Sequence, residues 1–271
     1  MNDNYIVTAF VVIDDLLKAH DYPQDCRAQS SAAEILTVAV IAAKYFQNHH
    51  ERALFLLSRL GYIRRLSVSR FNRRLHALRD WLSGLVRLLG EILAHGDVFL
   101  IDSLPLPVCK RARARRCRKV RGKAFCGYCA AKREKFFGWR LHLICTPNGI
   151  PVSFELLPAA LHDLTPLHEL AFALPAGASL FGDKGYLSQA DRRTLLQETG
   201  VRLVTPQRSN MPPNSWADDY DLALYRKRIE TVNSQLEAMG IQRLHARTNL
   251  GFDLKTCASL LALAFTNIIS N

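Results

Sequence analysis

Three acidic residues, far apart in the chain, have the type and surroundings to share a divalent cation. Asp102 follows the apolar run Val98-Phe99-Leu100-Ile101, which is too short for a helix and reads as a buried strand. Asp183 follows a second short run, Ala178 to Phe181, in the same way. If the two runs are neighbouring central strands, both carboxylates meet at one edge of the sheet, where open α/β sheets bind ligands. Two anions that close repel each other, and Mg²⁺ or Mn²⁺, which prefer carboxylate oxygens, would remove the repulsion. Glu230 lies in a helical pattern whose apolar stripe is Ile229, Val232, Leu236 and Met239. It borders that stripe and could reach over the sheet edge, or it could pair on the surface with Arg226 one turn back. Glu237 is a rival acid on nearly the same side.

Charge placement narrows the substrate. The net charge is +12, and the segment from Lys110 to Lys135 holds 12 Lys or Arg against one acid, Glu134. Nearly all the excess is therefore in that segment, an electrostatic footprint for a polyanion, most commonly nucleic acid. Lys110, Arg111, Arg113, Arg115, Arg116, Arg118, Lys119, Arg121 and Lys123 are the candidate phosphate contacts. A solvated basic loop is the plainer reading. Three acids beside such a segment suggest phosphodiester chemistry, with two metals serving the attacking and leaving oxygens. Lys184 and Arg226 could then hold DNA phosphates. His142 and His162 are possible accessory groups near the sheet edge, and each could equally be a satisfied histidine. Of seven cysteines, Cys109, Cys117, Cys126 and Cys129 fall in or beside the basic segment. Cys126-Gly127-Tyr128-Cys129 has zinc-ligand spacing, but the other half does not, which favours reduced thiols.

The elements that must position these groups can be read in outline. Residues 1–95 look helical, with Ser30 or Ser31 capping a helix that is apolar on most faces. A short helix ends at Gly61, and a third begins near Ser67 with Phe71, Leu75, Leu78, Leu82, Leu85 and Leu89 on one side. Arg70, Arg73 and Arg74 lie on or near its opposite face. This could be a helix-turn-helix that reads DNA ends, or a bundle with surface arginines. From residue 96 the order is strand, hairpin, helix, strand, helix, strand, helix. Leu104-Pro105-Leu106-Pro107 should end the first strand, because proline lacks a donor. An irregular basic, cysteine-containing insertion over about 109–135 follows it. Thr146-Pro147-Asn148-Gly149 marks the hairpin turn. The expected class is α/β, a mixed sheet with flanking helices behind an all-helical N-terminal region, divided as 1–95 and 96–271.

With 49% hydrophobic residues the chain can build a proper core. Its first residues do not read as a secretory signal, and its longest apolar runs, near 35–43 and 257–265, fall short of a membrane span. The expectation is a soluble cytoplasmic protein that needs no membrane partner.

Taken together, several blocks resemble bacterial insertion-sequence transposases of the DDE class, most closely the IS982 family within the IS4/IS5-like group. They are Ile101-Asp102-Ser103, Phe137-Gly138-Trp139-Arg140-Leu141-His142, Leu161-His162-Asp163, Gly182-Asp183-Lys184-Gly185-Tyr186, Arg226-Lys227-Arg228-Ile229-Glu230-Thr231 and Ala246-Arg247-Thr248 to Gly251-Phe252. The resemblance covers nearly the whole chain. It implies a ribonuclease H-like catalytic core with Asp102, Asp183 and Glu230 as catalytic metal ligands for Mg²⁺ or Mn²⁺, two per site. It implies hydrolysis at the element ends, then attack of the freed 3′-hydroxyl on target DNA. The partners would be double-stranded terminal inverted repeats and target DNA, bound by a dimer or larger assembly associated with a bacterial nucleoid. One departure stands out: the stretch Ser234-Gln235-Leu236-Glu237 carries no basic residue where the family's catalytic helix usually has one. Open alternatives are a metal-dependent nuclease without strand transfer and a non-catalytic, degenerate DNA-binding copy.

Overall fold

The computed structural model describes residues 2–129 and 132–270. Five helices come first: α1 (Asp3–Ala19), α2 (Ala32–Phe46), α3 (His50–Arg59), α4 (Val68–Ala77) and α5 (Arg79–Leu93). Ser31 caps α2 in a reciprocal capping box with Glu34. Residues Ala32 to Ala43 of this helix are nearly all buried, as an apolar surface on most faces demands. The stripe from Phe71 to Leu89 is buried throughout, but the third helix read from the sequence is two. Leu78 leaves helical geometry between α4 and α5, and a one-residue break leaves the apolar periodicity intact.

The strands follow as β1 (Val98–Lys110), β2 (Cys126–Cys129), β3 (Glu134–Cys145) and β4 (Pro151–Pro158). Then come α6 (Leu167–Ala171), β5 (Ser179–Phe181), α7 (Gln189–Thr199), β6 (Arg202–Val204), α8 (Trp216–Ala238) and α9 (Asn249–Ser270). The sheet order is β2-β3-β1-β5-β6, with β4 also on β3. Pairs among β1 to β4 are antiparallel, and β1-β5-β6 are parallel. This is the ribonuclease H-like mixed sheet with flanking helices behind a helical N-terminal region. On one face Phe99, Ile101, Leu180 and Leu203 pack with Leu167, Leu170 and Leu195 from α6 and α7.

Two compact units emerge. One is Leu89–Ser234; the other takes the chain up to Leu88 and again from Gln235 onward. The divisions fall inside α5 and α8. Within the second of these units α9 packs on α1, α2 and α4. By length and composition α9 could cross a membrane, because it extends well beyond the apolar run at 257–265, but most of it is buried.

The prolines do not end the first strand. β1 runs through Pro105 and Pro107 to Lys110, paired with β3. Its second partner, β5, pairs only with Val98, Phe99 and Leu100. Beyond that point β1 is an edge strand, and two prolines two residues apart turn both nitrogens to the open side, where no donor is needed.

Pairing slips by one residue between Pro107 and Cys109, opposite Gly138. A Cβ on Gly138 would run into the Leu106 carbonyl oxygen and stand 2.6 Å from the Val108 nitrogen. Both neighbours are backbone and cannot step aside cheaply. Gly138→Ala should therefore destabilise the protein by about 1–3 kcal/mol, read as a lower urea midpoint.

Candidate active site and nucleic-acid interface

Leu100 pairs with Phe181 at the last rung between β1 and β5. Asp102 and Asp183 each lie two residues past that rung, so the parallel register brings them to the same level. β1 itself continues beyond Asp102, paired with β3. What ends there is the pairing with β5, and that opens the space beside the carboxylate.

Asp102 is mostly buried. Its Oδ1 accepts from the Ser103 amide at 2.7 Å, and its Oδ2 accepts from the Asn233 amide at 2.7 Å. Burial pushes its carboxyl up to about 6, with the charges of Asp183 and Asp163 adding to the rise and the two hydrogen bonds opposing it. Asp183 caps the 3₁₀ turn Lys184–Tyr186, its Oδ1 accepting from the Gly185 amide at 2.7 Å. Its carboxyl is also raised, by burial first and by Asp163 next, while Arg226 and Arg140 pull it down. The Tyr186 hydroxyl is buried without a partner among the described residues, in the field of Asp163, Asp102 and Asp183. The two carboxylates and the orphaned hydroxyl are oxygen donors of the kind a hard divalent cation takes.

Helix α8 spans this edge. Asp218 pairs with Arg202 of β6 at 2.8 Å, Tyr225 packs on Phe181 of β5 with ring centroids 4.9 Å apart, and Asn233 reaches Asp102 of β1. Glu230 lies between the last two contacts in the helix, one turn before Asn233. Its side chain is turned away in this structure. Oε1 accepts from Arg226 Nε at 3.1 Å, and both groups are exposed. Among the described residues no three His, Cys, Asp or Glu side chains are grouped closely enough to hold a metal. The third acid beside the pair is Asp163. A Cβ on Gly185 would stand 2.9 Å from an oxygen of Asp163 and 2.9 Å from one of Asp183, so the two carboxylates lie within twice that distance.

The two histidines differ in their access to a substrate. His142 is fully buried, and burial first holds its imidazole down near about 4, hence neutral. His162 is exposed, with its Nδ1 accepting from the Leu164 amide at 3.2 Å. Lys184 is exposed directly beside Asp183, and Arg226 lies near enough to bias it.

The basic segment is more ordered than an irregular excursion. Arg111–Arg116 and Lys123–Phe125 are 3₁₀ turns, and β2 adds to the edge of β3. Arg111, Arg113, Arg115, Arg116, Arg118, Arg121 and Lys123 are all exposed, as is Lys110, and Lys119 is half-buried. Cys109 and Cys117 sit together, their thiols hydrogen-bonded. Cys126 is excluded from a shared zinc site with them: it and Cys109 both align with Phe137, on opposite sides of β3. Two strand spacings, roughly 10 Å, separate them, several times a Zn–S bond. Cys129, three residues along an extended strand, points to the other face. Among the N-terminal arginines, Arg70 and Arg73 are exposed. Arg74 is half-buried, donating to the Ser30 carbonyl at 2.6 Å, so part of its guanidinium is used inside the helical unit.

A family model for the transposase DDE domain matches residues 94–249. The chain belongs to that family. The matched span takes in Asp102, Asp183, Glu230 and the whole basic segment. Among solved structures, the Mos1 transposase paired-end complex with left transposon end is similar at 12% identity, over 85% of this chain and 77% of that one. Its TM-score of 0.25 is too low for any argument to rest on it. No curated protein sequence matches.

Asn233 lies outside the blocks quoted from the sequence, and Asp163 and Arg140 lie inside them without being singled out. Asn233 has no signal beyond its place one turn after Glu230. Asp163 follows His162, and nothing in its local sequence distinguishes it from a loop carboxylate. Arg140 is the one charged residue in the stretch Phe136 to Cys145, between Trp139 and Leu141.

The raised Asp102 carboxyl has a consequence for stability. Between pH 3.8 and about 6 the folded state keeps a proton that the unfolded state releases. Stability in metal-free buffer therefore falls as pH rises through that window. Asp102→Asn keeps both hydrogen bonds if the Asn233 amide flips, and it should remove most of that decline. The expected gain at pH 7 is on the order of 2 kcal/mol, checked by thermal melts across pH. An unchanged decline would assign it to other groups.

Proposed function

We propose that this chain is a DNA transposase that hydrolyses phosphodiester bonds at element ends and then joins the freed 3′-hydroxyl to target DNA. The observation that carries the reading is the common level of Asp102 and Asp183 beyond the last parallel rung, with Asn233 of α8, one turn after Glu230, bonded to Asp102. Asp102 and Asp183 would hold Mg²⁺ or Mn²⁺, and Glu230 would join them once released from Arg226. When bound, the metal ions supply charge neutralisation at the phosphoryl oxygens and a more acidic water.

The chain's own residues do the rest. Asn233 orients Asp102 so that one lone pair of each oxygen stays free. Lys184 and, after Glu230 leaves it, Arg226 offer cations to the phosphates flanking the scissile bond. The exposed arginines from Arg111 to Arg121 hold the DNA backbone without reading bases, and the helical unit, with Arg70 and Arg73 outward, recognises the element ends. Pairing two ends requires at least two copies, in the compartment that holds the DNA.

The test incubates purified protein with labelled element ends, with and without Mn²⁺, and scores cutting and joining together. Cutting and joining are both expected with metal. Cutting without joined product would reduce the protein to a nuclease, and tight binding with neither would make it a DNA-binding copy. Asp102→Asn and Glu230→Gln should each abolish cutting and leave end binding intact. Replacing Arg111, Arg113, Arg115 and Arg116 with alanine should weaken binding to all sequences alike. The log–log salt slope should also become shallower by about 0.9 for each phosphate that is no longer neutralised. An altered sequence preference at constant slope would contradict the phosphate assignment.

A further inference from the structure

Arg140 and Asp163 form a mostly enclosed ion pair beside the carboxylates, with Nη1 2.9 Å from Oδ1 and side-chain exposures of 19% and 18%. The same guanidinium donates through Nη2 to the Tyr128 carbonyl of β2 at 3.4 Å, while its Nε is buried without a partner among the described residues. Asp163 is thus held from one side by β3. On its other side it shares with Asp183 the space above Gly185, which only a residue without a side chain leaves open. Beneath it lies the neutral ring of His142, Nδ1 3.9 Å from the same Asp163 oxygen. Standing against the carboxylate of Asp183 costs Asp163 folding energy through repulsion, which its pair with Arg140 has to offset. Placement of that kind makes sense when a cation is to be bound, since each nearby negative charge strengthens the site's hold on it.

We infer that Asp163 is a positioning residue that strengthens divalent-cation binding by Asp102 and Asp183 through its charge, with Arg140 holding it in place and partly offsetting it. The inference rests on the assignment of those two aspartates as the cation site. It separates field from ligation: Asp163 need not touch the ion, and Arg140 and Asp163 act on its affinity with opposite signs. A merely structural ion pair has no such signature, because breaking it from either end loosens the same pairing.

The experiment titrates the full-length protein with Mn²⁺ alone, without DNA, and follows free Mn²⁺ by electron paramagnetic resonance. Melting midpoints of each metal-free variant are recorded alongside. Asp163→Asn should weaken Mn²⁺ binding on the order of tenfold, and Arg140→Gln should tighten it severalfold even though both lower the melting midpoint. Asp163→Glu, which keeps the charge, should recover most of the lost affinity. Weakening by both Asp163→Asn and Arg140→Gln, or no change in either, would overturn the inference. If Asp163→Asn does not fold, Arg140→Gln decides alone: tighter binding supports the inference, and equal or weaker binding overturns it. Asp102→Asn separates this from the parent assignment. Should it bind Mn²⁺ like the wild type, the site itself is misplaced; should it lose binding while Asp163→Asn does not, only the role of Asp163 fails.

Discussion

Two carboxylates that would rather be apart are held at one level by backbone hydrogen bonds between parallel strands. The Leu100–Phe181 rung fixes how far Asp102 and Asp183 can drift along their strands. Around Asp102, burial then withholds the water that would screen its charge, whereas Asp183 stands at the solvent edge. Everything around the pair reads as accommodation of that arrangement. The Ser103 and Gly185 amides and Asn233 supply donors, Arg226 and Arg140 supply positive charge, and β5 stops short to leave room. The structure tolerates a local electrostatic cost that the surrounding core has to outweigh.

Helix α8 makes that cost useful. It is anchored at β6 by Asp218, at β5 by Tyr225 and at β1 by Asn233, so it crosses three strands near the site. Glu230, one turn before Asn233 on this helix, is paired with Arg226. An exposed i,i+4 pair of this kind is worth only a few tenths of a kcal/mol. A cation at the carboxylates or a phosphate at Arg226 would readily compete with it. The resting pair is thus compatible with an acid that joins the site when ligands arrive.

The basic segment shows how strongly charged chain can be kept ordered without burying its charge. It is stitched to the sheet by backbone, with β2 pairing on the edge of β3 and Ala160 donating to the Ala124 carbonyl. Phe125 tucks its ring against Trp139 and Phe137. The cationic side chains are left outward, where self-repulsion falls when a polyanion neutralises them.

Much of this was legible in the residues. The mixed sheet, the hairpin at Pro147-Asn148-Gly149, the capped apolar helix at Ser31 and the concentration of charge all follow from local chemistry and periodicity. Those signals belong to single segments, and single segments carry them. What needed the folded chain were relations between segments. That Pro105 and Pro107 are harmless depends on which edge of β1 lacks a partner. That Cys109 and Cys126 cannot share zinc depends on a strand lying between them. That Asp163 rather than Glu230 stands beside Asp183, and that Asn233 rather than Glu230 touches Asp102, depends on packing and on rotamers set by competing partners. Residue types and spacing determined which chemistry this chain can host. Tertiary structure decided which acids meet, because hydrogen-bond register and burial act between segments that sequence order leaves far apart.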